Sequence, residues 1–267
     1  MERKEYVPTR KVISELIAWT HAGGKADVVT LSGSGEPTLH RRFGEVLQAI
    51  HGHTSLPAAL LSNGTMFDKP EVRAAATQAD IVKLSLSAWN ADSFARVHRP
   101  HPGVDFHRMV EGYHAFRSVY SGQLWLEVFP VPGMNSAPEH VDRIAALAAD
   151  IRPDAIHLNT AVRPPAEAEV RPLPRRVLET LAQRLLPEAL VAAEFAPGKK
   201  PQEAANENAI YALLTRRPCT ARQIADVFQM HLNEVSKYLG KLVRTGRIET
   251  RNTNSAVYYS AVGDRVK

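Results

Sequence analysis

The sequence predicts an α/β protein of repeating βα units, followed by a small module of three helices and a β-hairpin. Three observations carry this. Short apolar runs alternate with amphipathic stretches up to about residue 195. The runs start at residues 28, 58, 81, 124 and 155, intervals typical of βα units. Charge is also segregated: residues 1–196 carry 21 Lys and Arg against 22 Asp and Glu, whereas residues 197–267 carry 12 against 6.

The strand-like runs are Val28–Leu31, Ala58–Leu61, Ile81–Leu86, Leu124–Val128 and Ala155–Leu158. Most are nearly continuous in apolar character, as strands buried on both faces of a parallel sheet are. Between them, Val12, Ile13, Leu16 and Ile17 repeat at helical spacing and stop at Gly23-Gly24, a helix C-cap signal. Phe43, Val46, Leu47 and Ile50 form a second stripe, Met109, Tyr113 and Phe116 a third, and Val141, Ile144, Leu147 and Ala148 a fourth. A helix over 175–186 and a short run over 191–195 close the series. The chain opens with a helix where a βα repeat opens with a strand, so a first strand is expected to be missing. Such a sheet exposes an unpaired edge, and poor solubility is expected. Residues 1–196 form the first expected domain, and Pro-, Gly- and Lys-rich residues 197–203 read as a linker. Residues 204–267 form the second, with helices over 204–215, 221–228 and 232–245. A hairpin over 247–259 turns at Asn252-Thr253-Asn254-Ser255. Three helices followed by a hairpin is the winged-helix pattern.

Hydrophobic residues make up 44% of the 267 residues and charged residues 23%, the balance of a soluble globular protein. The charged start, Met1-Glu2-Arg3-Lys4-Glu5, does not resemble a signal peptide, and no apolar run is long enough to span a membrane. A cytoplasmic location is expected. The single cysteine, Cys219, rules out an intramolecular disulfide and an iron–sulfur or thiolate zinc site built from this chain alone. It reads as a small buried residue at a helix start. His51/His53 and His98/His101 lack a clear third ligand and read as surface residues. The basic tail has two readings of equal standing, a polyanion partner or a surface that serves solubility.

The sharpest motif is Ser32-Gly33-Ser34-Gly35-Glu36-Pro37-Thr38, directly after a buried strand. Ligands of parallel α/β folds bind at the C-terminal ends of strands, and two glycines let the backbone turn and approach a ligand closely. The loop has no lysine and matches neither nucleotide-phosphate fingerprint, so an ammonium ligand suits Glu36 better than a phosphate. The alternative is a βα turn whose glycines serve geometry alone.

Gly33-Ser34-Gly35-Glu36-Pro37 resembles the Gly-Gly-Glu-Pro motif of radical S-adenosylmethionine (SAM) enzymes. Leu61-Ser62-Asn63-Gly64, Leu84-Ser85-Leu86-Ser87 and Val131-Pro132-Gly133-Met134-Asn135 extend the likeness in order. Arg99-Pro100-His101-Pro102 and the run Leu158–Pro165 resemble a subgroup related to wybutosine-type tRNA-modifying enzymes. The resemblance spans about residues 1–195 and implies a partial (β/α)6 barrel. It implies that Gly33, Ser34, Gly35 and Glu36 hold the methionine moiety of SAM, with Asn63 nearby. Ser85, Glu127 and Asn159, at successive strand ends, would contact the SAM ribose or the substrate. For Ser85 and Asn159 the alternative is a strand-end hydrogen bond. Glu127, inside an apolar strand, calls for a partner.

The family holds a [4Fe–4S] cluster on three cysteines of a CxxxCxxC loop after the first strand, which this chain lacks. The expectation is therefore a radical SAM enzyme shortened at its N-terminus, unable to cleave SAM as it stands, with an RNA nucleoside as a candidate substrate. The alternative is a cluster-free regulator with a ligand-sensing barrel and a DNA-binding winged helix. In the tail, Val235, Leu239, Leu242 and Val243 mark the buried side of the third helix. Lys237, Lys241 and Arg244 share the opposite face and, with Arg247 and Arg251, could contact the phosphates of tRNA or DNA. A solvated face or a protein-docking module is the other reading.

Overall fold

The computed structural model describes residues 2–33, 35–161, 170–191, 207–228, 230, 232–253 and 256–262, and only the backbone of Asn233. The readings at Ser34, 162–165, 192–206 and Asn254-Ser255, including the linker, lie outside the described residues. The chain divides into two compact units, Met1–Thr160 with Arg171–Ala193 and Ala161–Val170 with Glu194–Lys267.

In the first unit, α1 (Thr9–His21) is the first regular element, followed by β1 (Val29–Leu31), a 3-10 turn at Pro37–Leu39 and α2 (Phe43–His53). Then come β2 (Ala58–Ser62), α3 (Pro70–Ala76), β3 (Ile81–Ser85), α4 (Ala91–His98) and α5 (Phe106–Val119). The series ends with β4 (Gln123–Val128), α6 (Pro138–Ile151), β5 (Ala155–Leu158), α7 (Arg175–Ala182) and β6 (Leu190–Val191). The long interval before β4 thus holds two helices. The six strands form one sheet in chain order, each parallel to its neighbour. β1 lies at one edge and β6 at the other.

Side chains alternate between the faces of a strand, and here the two faces differ. Leu60, Val82, Leu84, Leu124, Leu126, Val128, Ile156 and Leu158 are buried in one core with Phe43, Leu47, Met109, Phe116 and Ile144 from the helices. The opposite face of β3–β5 carries Lys83, Ser85, Trp125, Glu127 and His157, all only partly buried. Burial on both faces therefore holds for Ala58–Leu60 of β2 but not for β3–β5, where polar side chains alternate with the core residues.

Local signals set the boundaries. Asn90 and Ser93 form a reciprocal capping box at the start of α4, and the Asp105 side chain accepts from the Arg108 N–H at the start of α5. At the opposite end of the sheet, Asp80 accepts from the Ala58 N–H and Asp154 from the Leu124 N–H, each capping a neighbouring strand. His98 departs from its surface reading: its ring lies 4.9 Å from that of Phe94, and burial lowers its pKa to about 4. No helix among the described residues is long and apolar enough to cross a membrane.

The second unit contains α8 (Glu207–Arg216), β7 (Cys219–Thr220), α9 (Ala221–Phe228), α10 (Leu232–Arg244), β8 (Ile248–Asn252) and β9 (Val257–Ala261). The strands form an antiparallel sheet in the order β7-β9-β8. Ile210, Leu214, Cys219, Ile224, Val235, Leu239, Leu242 and Ile248 make its core. Cys219 is a buried core residue, as its sequence position suggested. Val243, expected on the buried side of α10, is 40% exposed, because one step past Leu242 turns a side chain about 100° off the buried stripe.

Candidate functional site

A cleft of about 400 Å³ opens at the C-terminal ends of the strands. Gly35, Glu36 and Pro37 form one wall, Leu61, Ser62 and Asn63 line the end of β2, and Lys83, Ser85 and Glu127 come from β3 and β4. The Glu36 carboxylate ties the first two together. Its Oε1 accepts from the Thr38 N–H at 3.0 Å, the Thr38 hydroxyl at 2.6 Å and the Ser62 hydroxyl at 2.7 Å. Its Oε2 accepts from the Asn63 N–H at 2.7 Å. A carboxylate with four donors holds the glycine loop against the next strand end, leaving backbone carbonyls as the loop's acceptors for an ammonium group.

Below this, the buried Tyr113 hydroxyl donates to the Ser85 carbonyl at 2.9 Å and lies 3.4 Å from the Asn63 carbonyl. Burial, and then the charge of Glu36, push its phenol above the ordinary range. Gly64 has φ +77°, and the space its side chain would fill is taken by the Tyr113 ring and hydroxyl. Glycine is required there on both counts.

Lys83 supplies the partner that Glu127 calls for: its ammonium donates to Glu127 Oε1 at 2.7 Å, and the side chains are only 18% and 24% exposed. Asn159 Nδ2 donates to the same oxygen at 3.4 Å, while its Oδ1 accepts from the Thr160 N–H. His157 neighbours Glu127 across the β4–β5 pair. Burial and then Lys83 lower its pKa, against the opposing pull of Glu127. The cleft thus offers a hydroxyl, a carboxylate and an ammonium from adjacent strands, a set suited to a polar ligand carrying hydroxyls and charges of both signs.

Of the residues singled out in the sequence, Gly35, Glu36, Asn63, Ser85 and Glu127 meet in the cleft. Gly33 does not line the cleft; a side chain there would lie 3.3 Å from the Gly35 carbonyl oxygen. Asn159 reaches the cleft's residues through Glu127. Sequence reasoning missed Lys83, Ser62 and Tyr113. Lys83 lies between Val82 and Leu84, the same signal of a charge in an apolar strand that marked Glu127. Tyr113 counted only as part of an apolar stripe. In the second unit, Lys241 and Arg247 pair with the two oxygens of Glu207 at 2.5 and 3.3 Å, and the Arg247 guanidinium lies 4.0 Å from the Tyr211 ring centre. Lys237, Arg244 and Arg251 are exposed.

These residues do not fit an iron–sulfur cluster: the only cysteine is in the core of the second unit, and the described residues contain no group of three metal-ligating side chains. They do fit SAM, whose ammonium, carboxylate and ribose hydroxyls match the cleft's donors and acceptors. A side chain at Gly35 would meet none of the described residues within 4 Å.

No family model matches the chain. A GTPase Obg of Brachyspira hyodysenteriae is 31% identical over 261 residues, which cover 96% of this chain and 38% of that protein. A UPF0026 protein of Synechocystis is 30% identical over 163 residues, 61% of this chain and 60% of that protein. A UPF0026 protein of Helicobacter pylori is 29% identical over 237 residues, 88% of this chain and 75% of that one. The chain spans less than two thirds of the first two of these relatives. Among solved structures, Streptococcus suis SuiB bound to S-adenosylmethionine aligns with 69% of this chain and 42% of its own, at a TM-score of 0.53 and 14% identity. A radical SAM methyltransferase of Sphaerobacter thermophilus aligns with 68% of this chain and 55% of its own, at 0.50 and 16%. At such identities the likeness is one of fold, a partial barrel of the kind radical SAM enzymes have.

Proposed function

We propose that the first unit is the SAM-binding barrel of a radical SAM enzyme. The backbone of Gly33, Ser34, Gly35 and Glu36 takes the methionine ammonium. Asn63, Ser85 and Glu127, with Asn159 behind it, take the ribose hydroxyls or the substrate. The observation that supports this is the cleft itself, which the glycine loop after β1 lines together with the Glu127 carboxylate of β4. A [4Fe–4S] cluster would need three thiolates from outside these 267 residues, since one cysteine cannot hold it. The radical chemistry belongs to cluster and SAM, and the residues of this chain bind and orient. We extend the reading to an RNA nucleoside as substrate, on the likeness of Arg99–Pro102 to the wybutosine-type subgroup, and read the second unit as a winged helix.

A second reading, favoured by the cysteine count, is a cluster-free regulator whose barrel senses a small molecule and whose second unit binds DNA. It predicts duplex binding that responds to the barrel's ligand. Titration calorimetry with S-adenosylhomocysteine tests the first reading. Wild-type chain is expected to bind, and Glu127→Gln to bind about tenfold more weakly, the effect of losing one charged hydrogen bond. Absence of binding at millimolar ligand overturns it.

A further inference from the structure

We propose that Arg3 is a positioning residue for the cleft, holding from outside it the turn to which the Glu36 carboxylate is bonded. This deepens the SAM reading of that cleft and rests on it.

The need for such a residue comes from the turn itself. A single 3-10 turn, Pro37–Leu39, follows the glycine loop, and the end of a helix leaves carbonyls without an intrahelical donor. The donors of this turn are used within the loop, the Thr38 N–H on Glu36 Oε1 and the Leu39 N–H on the Glu36 carbonyl. Its acceptors are taken by the segment before α1. Arg3 Nε donates to the Thr38 carbonyl at 3.0 Å, and the Lys4 N–H to the Leu39 carbonyl at 3.1 Å. The Arg41 N–H donates back to the Lys4 carbonyl at 3.0 Å, which completes a short parallel bridge. His40 Nδ1 accepts from the Arg42 N–H, so its Nε2 carries the proton and donates to the Val7 carbonyl at 2.8 Å.

Burial singles out Arg3 within this segment. Its side chain is only 14% exposed, while its carboxylate partner, Glu71 at 3.3 Å, is 60% exposed. A pair with so open a partner adds little stability, yet a cation is seldom withdrawn from water without a reason. The Thr38 carbonyl supplies one. A guanidinium carries separate donors on a rigid fork, so Nε holds the carbonyl while Nη1 holds Glu71. A lysine ammonium has one donor centre for both.

The consequence falls on the wall of the cleft. Glu36 joins the loop after β1 to the end of β2 through Ser62 and Asn63. Arg3 joins the same two segments a second time, from Thr38 to Glu71 in the first turn of α3, the helix that follows β2. Thr38 is buried and gives both its N–H and its hydroxyl to Glu36 Oε1, so a shift of Thr38 moves the carboxylate with it. Arg3 does not line the cleft and acts on a ligand through Thr38 and Glu36.

Titration calorimetry of the full chain with S-adenosylhomocysteine, together with hydrogen exchange of the ligand-free chain, tests this. Arg3→Met keeps the apolar stem and removes the donors. It should weaken binding about fivefold, the effect of losing one hydrogen bond. It should speed exchange in peptides covering residues 36–41 and 62–65 by a similar factor, and leave peptides of β3, β4 and β5 as in the wild type. Arg3→Lys should fall between the two. Arg184→Met, which removes a cation paired with Asp142, should change neither readout. Weaker binding with that local pattern supports the proposal. Faster exchange spread across the sheet marks a role in stability alone and overturns it, as does unchanged affinity, or unchanged exchange at 36–41, in Arg3→Met. If the wild type itself does not bind, the SAM reading fails by itself, and exchange in the ligand-free variants still decides for or against Arg3 as the residue that holds the Glu36 wall.

Discussion

Lys83 and Glu127 illustrate what one pair of residues does for the cleft. Two charges withdrawn mostly from water stabilise little as a pair, but removing one strands the other. Lys83→Met should therefore cost about 2 kcal/mol in urea denaturation, and the double change Lys83→Met with Glu127→Leu should recover most of the loss. Equal destabilisation by the double change would show that the pair contributes packing alone. His98 gives a pH signature of a different kind. Its folded pKa, lowered by burial to about 4, lies below its ordinary 6.5, so the unfolded chain takes up the proton first as pH falls. The stability this neutral histidine confers is present above about pH 6.5 and is lost progressively down to about pH 4. His98→Leu should flatten the difference in urea midpoint across that window, and an unchanged slope would contradict the burial. Asp80 acts lower on the scale. Burial raises its carboxyl most, but the Ala58 N–H and His51 together outweigh that and hold it below its usual range. Its contribution is present above the unfolded carboxylate pKa and is lost as pH falls through the lower folded value.

Strand ends are the elements that build the site, and they are held by groups whose purpose shows only in three dimensions. Gly64 is the clearest case. Gly64→Ala puts a side chain at φ +77° into the space of the Tyr113 hydroxyl, and a loss of at least about 2 kcal/mol is expected by thermal or chemical denaturation. Tyr113→Phe removes only the hydroxyl's hydrogen bonding, to the Ser85 and Asn63 carbonyls, and should cost about 1 kcal/mol, so the ratio of the two separates sterics from hydrogen bonding. The strands of a parallel sheet were legible because buried strands leave apolar runs and βα units leave a spacing, whereas their sequential order was implied only by the family resemblance. The loop at Gly33–Pro37 was legible because it combines two glycines with an acid after such a run. α3 and α4 were not anticipated, being short helices whose pattern is too brief to show a period. Lys83, between Val82 and Leu84, carried the same signal as Glu127, but its long alkyl stem can pass along an apolar surface and so calls less plainly for a partner. The pairing of Lys241 and Arg247 with Glu207 could not be foreseen either, since it joins residues more than thirty positions apart. No helical or strand periodicity encodes such a contact.

At the scale of the whole molecule, two compact units divide the charge between them, a nearly neutral barrel and a basic module. The barrel provides a cleft with the donors and acceptors for SAM, and the cysteine count denies it a cluster of its own. Binding of the cofactor at the glycine loop is thus the claim on which the functional reading stands. Hydrogen exchange of the full chain, with and without saturating S-adenosylhomocysteine, tests it most directly because it reports where the ligand sits. The account predicts slowed exchange in peptides covering residues 33–38 and 61–65, where Glu36 joins the loop to the end of β2, and no change in the second unit. Protection confined to other segments, or none with ligand in excess, would contradict it.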